Sequence, residues 1–193
     1  MAQIMKKTMV KKDDGKIFVK SEYNTLFVKK ARFLGGSWDK ESSAWSFPDS
    51  RESLVKELLR EIYGTDGEEE PAIVTVQIDM DLFYDTLNSE IYLGGFPLAS
   101  RRFRDSDVKL APWAYLVNGE FCSSGGSRNN PCVTWETGTI VKADVPAATY
   151  ELEKGKGGIT LCTIDIDIKS LQKERKSLIK RIAEIDQMIL SAK

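Results

Sequence analysis

Three aromatic side chains near the N-terminus have the chemistry needed to hold unpaired bases. Trp38, Trp45 and Phe47 present flat rings, and each base stacked on such a ring contributes roughly 1–3 kcal/mol to binding. The alternative is structural, because a domain as small as residues 1–64 needs large rings in its core. That alternative is stronger for Trp45 and Phe47 than for Trp38, which begins a turn.

Three cations precede these rings. Lys29, Lys30 and Arg32 lie together near the end of a predicted helix. Contact with phosphate groups is one interpretation of this cluster. The other is a solvated face, because cations also suit the negative end of the helix dipole.

A second basic cluster lies in the middle of the chain. Arg101, Arg102 and Arg104 surround an aromatic residue inside an otherwise acidic region. This contrast predicts a contact surface for phosphate or for an acidic protein. Ion pairing with the aspartates that follow is the competing explanation.

The segment from Cys122 to Pro131 is rich in Gly and Ser and contains Arg128. Successive residues of this kind can turn several backbone N–H groups toward one anion, and Arg128 could add a bidentate contact. No Gly-Lys-Ser/Thr follows, so the segment is not a P-loop. A long polar hairpin loop over Ser123 to Asn130 is the alternative.

The composition gives little support to enzymatic chemistry. The chain has no histidine, which removes the commonest general base and the Ser-His and Cys-His nucleophile pairs. Asp79 with Asp81 and Asp165 with Asp167 each place two carboxylates on one strand face, where they could hold magnesium. Acidic residues on the solvent face of a strand are commoner, and we expect no catalytic residue, no metal and no cofactor.

The elements that would position the N-terminal side chains are clear in residues 1–64. The pattern predicts a hairpin, a helix, a second hairpin and a second helix. These are a hairpin of Met5–Val10 with Lys16–Tyr23, a helix capped by Asn24 and ended by Gly35-Gly36, a hairpin of Trp38 with Ala44–Phe47, and a helix capped by Ser50.

The remainder divides into three parts, which gives an α+β class overall. Residues 65–71 are an acidic linker that follows Gly64, contains Gly67 and ends at Pro71. Residues 72–167 predict a β-rich domain with short helices. The strand candidates are Ile73–Ile78, Ala114–Val117, Val133–Trp135, Thr139–Val141 and Ile159–Ile166, and Asp79–Leu87 is a candidate helix.

Residues 168–193 predict an amphipathic helix. Apolar residues at heptad spacing are Ile168, Leu171, Leu178, Ile182, Ile185 and Ile189. A coiled-coil arm that forms a homodimer through residues 168–190 is one interpretation. Packing of the helix on its own β domain is the other.

Residues 17–64 resemble two related small modules through Tyr23, the following helix, Gly35-Gly36-Ser37-Trp38-Asp39 and Trp45-Ser46-Phe47. One is the HARP module of annealing helicases, and the other is the Gly-x-x-Trp-Asp…Trp domain of bacterial plasmid and phage proteins. The HARP resemblance implies DNA binding near junctions of single and double strands. The chain has no helicase motor, so only a binding role is carried over.

Charge, hydropathy and cysteine content indicate the cellular location and the kind of partner. Residues 1–64 carry a net charge of +4, residues 65–167 carry −9 and residues 168–193 carry +4. No apolar run is long enough for a membrane span or a signal peptide, which predicts a cytoplasmic protein. Three dispersed cysteines predict reduced thiols.

Two functional hypotheses follow. The first is a non-enzymatic accessory protein of a phage or plasmid that binds nucleic acid, expected to be DNA, and that binds a protein partner or a second copy through its β domain and C-terminal helix. The second is an inhibitor of a host defence or replication complex that imitates nucleic acid with the acidic surface of residues 65–167.

Overall fold

Two hairpins alternate with two helices in the N-terminal part of the chain, which is the order that the apolar pattern predicts. The structure, a computed structural model, describes residue 5, residues 7–84, residues 88–162, and residues 175, 176, 178, 179, 181, 182 and 185. The N-terminal elements are β1 (Met9–Asp13), β2 (Lys16–Lys20), α1 (Thr25–Phe33), β3 (Ser37–Asp39), β4 (Ala44–Pro48), a 3-10 turn (Asp49–Arg51) and α2 (Glu52–Tyr63).

The four N-terminal strands form one antiparallel sheet in the order β1-β2-β4-β3. Its inner face contributes Ile17, Val19, Trp45 and Phe47 to the core, all buried. Helix α1 joins this core through Phe27, whose ring meets the Trp45 ring edge-on with centroids 6.1 Å apart. The predicted β3–β4 hairpin and the burial of Trp45 and Phe47 are confirmed. The first hairpin also forms, but its first strand is Met9–Asp13, which overlaps the predicted Met5–Val10 at Met9 and Val10 alone.

The start of α2 differs from the prediction. Ser50 lies inside the 3-10 turn that begins directly after Pro48, and the helix itself starts at Glu52 without a side-chain cap. Ser50 is therefore not the N-cap, because it lies within the 3-10 turn and α2 begins two residues later, at Glu52. The end is as expected from Gly64, which adopts φ +69°.

The second part of the chain adds two more antiparallel sheets. Its elements are β5 (Ile73–Asp79), α3 (Met80–Phe83), β6 (Glu90–Leu93), β7 (Phe96–Ser100), β8 (Lys109–Leu110), β9 (Ala114–Asn118), β10 (Ile140–Pro146), α4 (Ala147–Glu153) and β11 (Ile159–Leu161). One sheet has the order β11-β5-β10-β9, and the other has the order β6-β7-β8.

Prediction and structure differ most in the β6–β7 hairpin. This hairpin was not among the predicted strands, and Pro97 in its second strand argues against a strand interior. The pairing tolerates Pro97 because the register shifts between Ile91 and Tyr92, directly at its position. Conversely, Val133–Trp135 was predicted as a strand and is not one, since Trp135 forms only an isolated bridge with Phe121.

The tight turn of the β6–β7 hairpin docks on the start of α1. Asn24 is fully buried, and its side-chain oxygen caps α1 by accepting from the Phe27 N–H at 3.0 Å. Its side-chain nitrogen donates to the Gly94 carbonyl at 2.8 Å, and the Thr25 N–H donates to the Gly95 carbonyl at 2.8 Å. One buried asparagine therefore caps a helix and holds the turn of a distant hairpin.

Glu153 completes the same junction from α4. Its carboxylate is almost fully buried, accepts from the Gly94 N–H at 2.9 Å and pairs with Lys156 at 2.6 Å. Every polar group of the Gly94 peptide backbone thus has a partner outside its own hairpin.

Aromatic rings continue the contact between the two parts of the chain. Rings in edge-on contact run from the N-terminal sheet to the β6-β7-β8 sheet, with centroids 5.4 to 6.3 Å apart. The series is Trp45, Phe27, Tyr63, Phe96 and Trp113. Met1–Cys162 accordingly forms one compact unit, in which residues 1–64 and 72–162 pack together across the predicted linker, and Thr163–Lys193 forms a second unit.

The coarse α+β class is confirmed by this mixture of helices and sheets. Most of the predicted C-terminal helix lies outside the described residues, and the seven residues described there are helical. In the described part of the chain, no helix is long and apolar enough to cross a membrane.

We expect the Asn24→Ala variant to lose about 2–3 kcal/mol of unfolding free energy. The change removes a helix cap and leaves the buried Gly94 carbonyl without its partner. Asn118→Ala is the matched control, because the Asn118 amide donates to the Gly138 carbonyl at 2.9 Å in an exposed position. Urea unfolding measures both, and equal stability of the two variants would contradict the proposed role of Asn24.

Candidate nucleic-acid interface

The exposed face of α1 carries two cations and an aromatic ring. Thr25, Val28, Lys29 and Arg32 share this face because residues three, four and seven positions apart align on a helix. They line a groove of about 510 Å³ together with Phe33, whose side chain is 83% exposed. The helix is held by its opposite face, where Phe27 and Ala31 are buried.

Trp38 is the second component of this surface. It lies opposite Trp45 in the β3–β4 pairing, so both rings project from the same sheet face. Trp45 is buried, whereas Trp38 is 52% exposed because β3 is the edge strand. The Trp45 ring supports the Trp38 ring edge-on at 6.1 Å.

The Asp39 turn fixes the strand that presents Trp38. The Asp39 carboxylate accepts from the N–H groups of Glu41 and Ser42 at 3.2 Å and from the Ser42 hydroxyl. The Ser42 contacts, the hydroxyl first, lower the pKa of Asp39 below its ordinary value. The Asp39 carboxylate is therefore charged at neutral pH and keeps the hydrogen bonds that hold the turn.

Tyr23 joins the two components. It lines the groove beside α1 and also a second groove of about 610 Å³ in front of Trp38. The second groove is further lined by Met9, Lys20 and Lys7. Tyr23 is 56% exposed, so three exposed rings, Phe33, Tyr23 and Trp38, border two grooves that share a wall. We call this set the aromatic–basic surface.

The charges of this surface are mostly uncompensated cations. Within the described residues, Lys20, Lys29 and Arg32 have no ion-pair partner, whereas Lys7 pairs with Glu70 at 3.2 Å. Glu22 is the acidic residue in the second groove. Lys30, predicted as a phosphate contact, is paired with Glu61 on α2 and does not line either groove.

Arg101 was predicted as a binding residue, but the structure places it in the interior. It is 1% exposed, and its guanidinium donates to the main-chain carbonyls of Arg104, Ser106, Cys122 and Ser123. A ligand in solution does not reach it. Arg101 is therefore not a contact for nucleic acid, contrary to the prediction.

The other three predicted arginines are exposed. Arg102 stacks on Phe103 at 5.1 Å, and Arg104 lies 3.5 Å from the Asp105 carboxylate. Arg128 lies at the tip of the 122–131 loop, next to a turn in which the Ser127 N–H donates to the Asn130 carbonyl. None of the three lines the grooves of the aromatic–basic surface.

The carboxylate pair at Asp79 and Asp81 is committed to structure. Asp79 caps α3, while Asp81 accepts from the Trp135 indole at 2.8 Å and from the Gly138 N–H at 2.7 Å. Among the described residues, no group of three or more acidic or cysteine side chains could hold a metal ion. Asp165 and Asp167 lie outside the described residues.

Three residues of the aromatic–basic surface were not predicted as contacts: Tyr23, Phe33 and Lys20. Phe33 had a usable signal, since it falls off the apolar stripe of α1 and onto the face of Lys29 and Arg32. Lys20 had none, because its place beside the Trp38 groove depends on how β2 pairs with β4.

Comparison with known protein families, curated proteins and solved structures finds no match for this chain.

The two paired tryptophans should respond differently to truncation. We expect Trp45→Ala to cost about 3–5 kcal/mol of unfolding free energy, as for other buried aromatic residues. Trp38→Ala should cost under about 1 kcal/mol because its ring is half exposed. Urea unfolding of both variants measures this difference, and a large loss for Trp38→Ala would assign that ring to the core.

Proposed function

We propose that this protein is a non-enzymatic accessory protein of the cytoplasm that binds single-stranded nucleic acid through its aromatic–basic surface. The observation that carries the proposal is the half-exposed Trp38, which the buried Trp45 supports. Lys20, which has no ion-pair partner among the described residues, lines the same groove, and Lys29 and Arg32 line the adjoining one. Bases that are already paired and stacked do not offer their faces to such a ring, so the surface fits an unpaired strand.

The stacking rings favour nucleic acid over other anionic ligands. Trp38, Tyr23 and Phe33 each expose more than half of their side chain. Exposed large rings beside cations are the combination that single-strand binders use, since every base has a face that can stack and every nucleotide has a phosphate. Tyr23 and Val28 line both grooves, so a single strand that followed the two grooves would contact all three rings.

The cations predict how salt should affect binding. Lys20, Lys29 and Arg32 would contact the backbone, and each phosphate neutralised on a single strand adds about −0.7 to the slope of log affinity against log salt. Three contacts give a slope of about −2. Stacking on Trp38 adds affinity without changing this slope.

Fluorescence anisotropy with the full chain and a labelled oligothymidylate, at several salt concentrations, tests both contributions. Trp38→Ala should weaken binding by roughly 5- to 100-fold at unchanged salt slope, because one stack is lost. The double variant Lys29→Gln, Arg32→Gln should make the slope shallower by about 1.4. Duplex DNA of the same length should bind more weakly than the single strand.

Two variants far from the aromatic–basic surface provide controls. Tyr115→Ala removes an exposed ring from β9, and Lys142→Gln removes a cation from β10. Neither should alter affinity or slope. If wild-type protein shows no salt-sensitive binding to any nucleic acid, the proposal is wrong, and the acidic inhibitor hypothesis becomes the one to test by capture of host complexes.

We also propose that two copies associate through residues 168–190. The proposal is supported by Leu178, Ile182 and Ile185, which are helical, spaced four and three residues apart, and exposed in the single chain. Two copies would present two strand-binding surfaces and so raise the avidity for a long strand. Light scattering should give a mass of two chains for the wild type. The double variant Leu178→Glu, Ile182→Glu should give the mass of a single chain, because it places charges on the apolar face of the helix.

A further inference from the structure

Arg101 arranges the polar loop of residues 122–131 from the inside. Its guanidinium draws the carbonyl oxygens of Cys122 and Ser123 inward, together with those of Arg104 and Ser106 from the neighbouring loop. The Gly125 N–H also donates to the Arg104 carbonyl at 2.9 Å, which ties the two loops together. The backbone of both loops is thereby fixed.

Inward carbonyls leave the N–H groups of the same peptides pointing outward. In a planar trans peptide the C=O and the N–H point in opposite directions, and the structure contains no cis peptide among its described residues. The peptides that begin with the Cys122 and Ser123 carbonyls therefore direct the N–H groups of Ser123 and Ser124 away from Arg101. Within the described residues neither N–H group has an acceptor, and both residues are exposed.

The charge of Arg101 adds to this arrangement. No carboxylate among the described residues forms an ion pair with it, so the buried positive charge faces only carbonyl dipoles, and its Nε has no hydrogen-bond partner. A buried charge is ordinarily paired with an opposite one. An anion bound on the outer side of the loop would supply the counter-charge that Arg101 lacks among the described residues.

We propose that Ser123 and Ser124, together with Arg104, form a phosphate-binding site. Two adjacent N–H groups that point outward and have no acceptor among the described residues can donate to the oxygens of one phosphate. The Arg104 carbonyl accepts from the Gly125 N–H, next to these two peptides, and the exposed Arg104 guanidinium would supply a charged donor to a phosphate bound there. Asp105, 3.5 Å from the Arg104 guanidinium, is the competing carboxylate that a phosphate would displace. This site is independent of the aromatic–basic surface.

Titration of the ¹⁵N-labelled full chain with inorganic phosphate, at constant ionic strength, tests the site directly. We expect saturable shifts of the Ser123 and Ser124 amide signals. Arg104→Gln should weaken phosphate binding at least about ten-fold, because it removes a charged donor. Asp105→Asn should strengthen binding several-fold, because it removes the competing carboxylate, and Lys142→Gln should change nothing.

A second titration identifies the source of the phosphate. If an oligothymidylate without terminal phosphates shifts the same two amides, the site takes backbone phosphates of nucleic acid; if only inorganic phosphate or a mononucleotide shifts them, the site takes a small phosphate compound. The proposal fails if phosphate causes no saturable shift at Ser123 and Ser124. It also fails if Arg104→Gln and Asp105→Asn bind phosphate as the wild type does.

Discussion

The buried side chain of Asn24 is the contact on which the arrangement of this protein depends. It caps α1 and at the same time holds the Gly94 carbonyl of the β6–β7 turn. The turn requires glycine at Gly95, which adopts φ +84°, and a Cβ there would lie 2.5 Å from the Asn24 side-chain oxygen. Residues 1–64 are thus completed by a hairpin from the second part of the chain, and without it the buried polar groups of Asn24 would face water.

The same packing gives the candidate surface its rigidity. The cap sets the start of α1, which places Lys29 and Arg32 on the outer face and Phe27 on the inner one. Phe27 then supports Trp45, and Trp45 supports Trp38, each through an edge-on ring contact at 6.1 Å. A half-exposed ring held in this way loses little conformational freedom when a base stacks on it, which favours binding.

Local signals in the sequence predicted the N-terminal elements because each has its own start and stop chemistry, such as Asn24 at one end of α1 and Gly35 at the other. They could not distinguish Trp38 from Trp45, since both rings project from one sheet face and only the edge position of β3 exposes Trp38. Local signals also could not show that Arg101 is buried while its neighbour Arg102 is exposed. The carbonyls that surround Arg101 come in part from Cys122 and Ser123, about twenty residues away in the chain, and only the folded chain brings them together.

Ultraviolet cross-linking of the unmodified full chain to an oligothymidylate, followed by mass spectrometry of the linked peptides, tests whether the aromatic–basic surface holds a single strand. Rings that stack on bases are the groups placed to form such links. We expect links at Tyr23, Phe33 or Trp38, in peptides that border the two grooves. Links confined to residues 72–162, or no links at concentrations where binding is saturated, would contradict it.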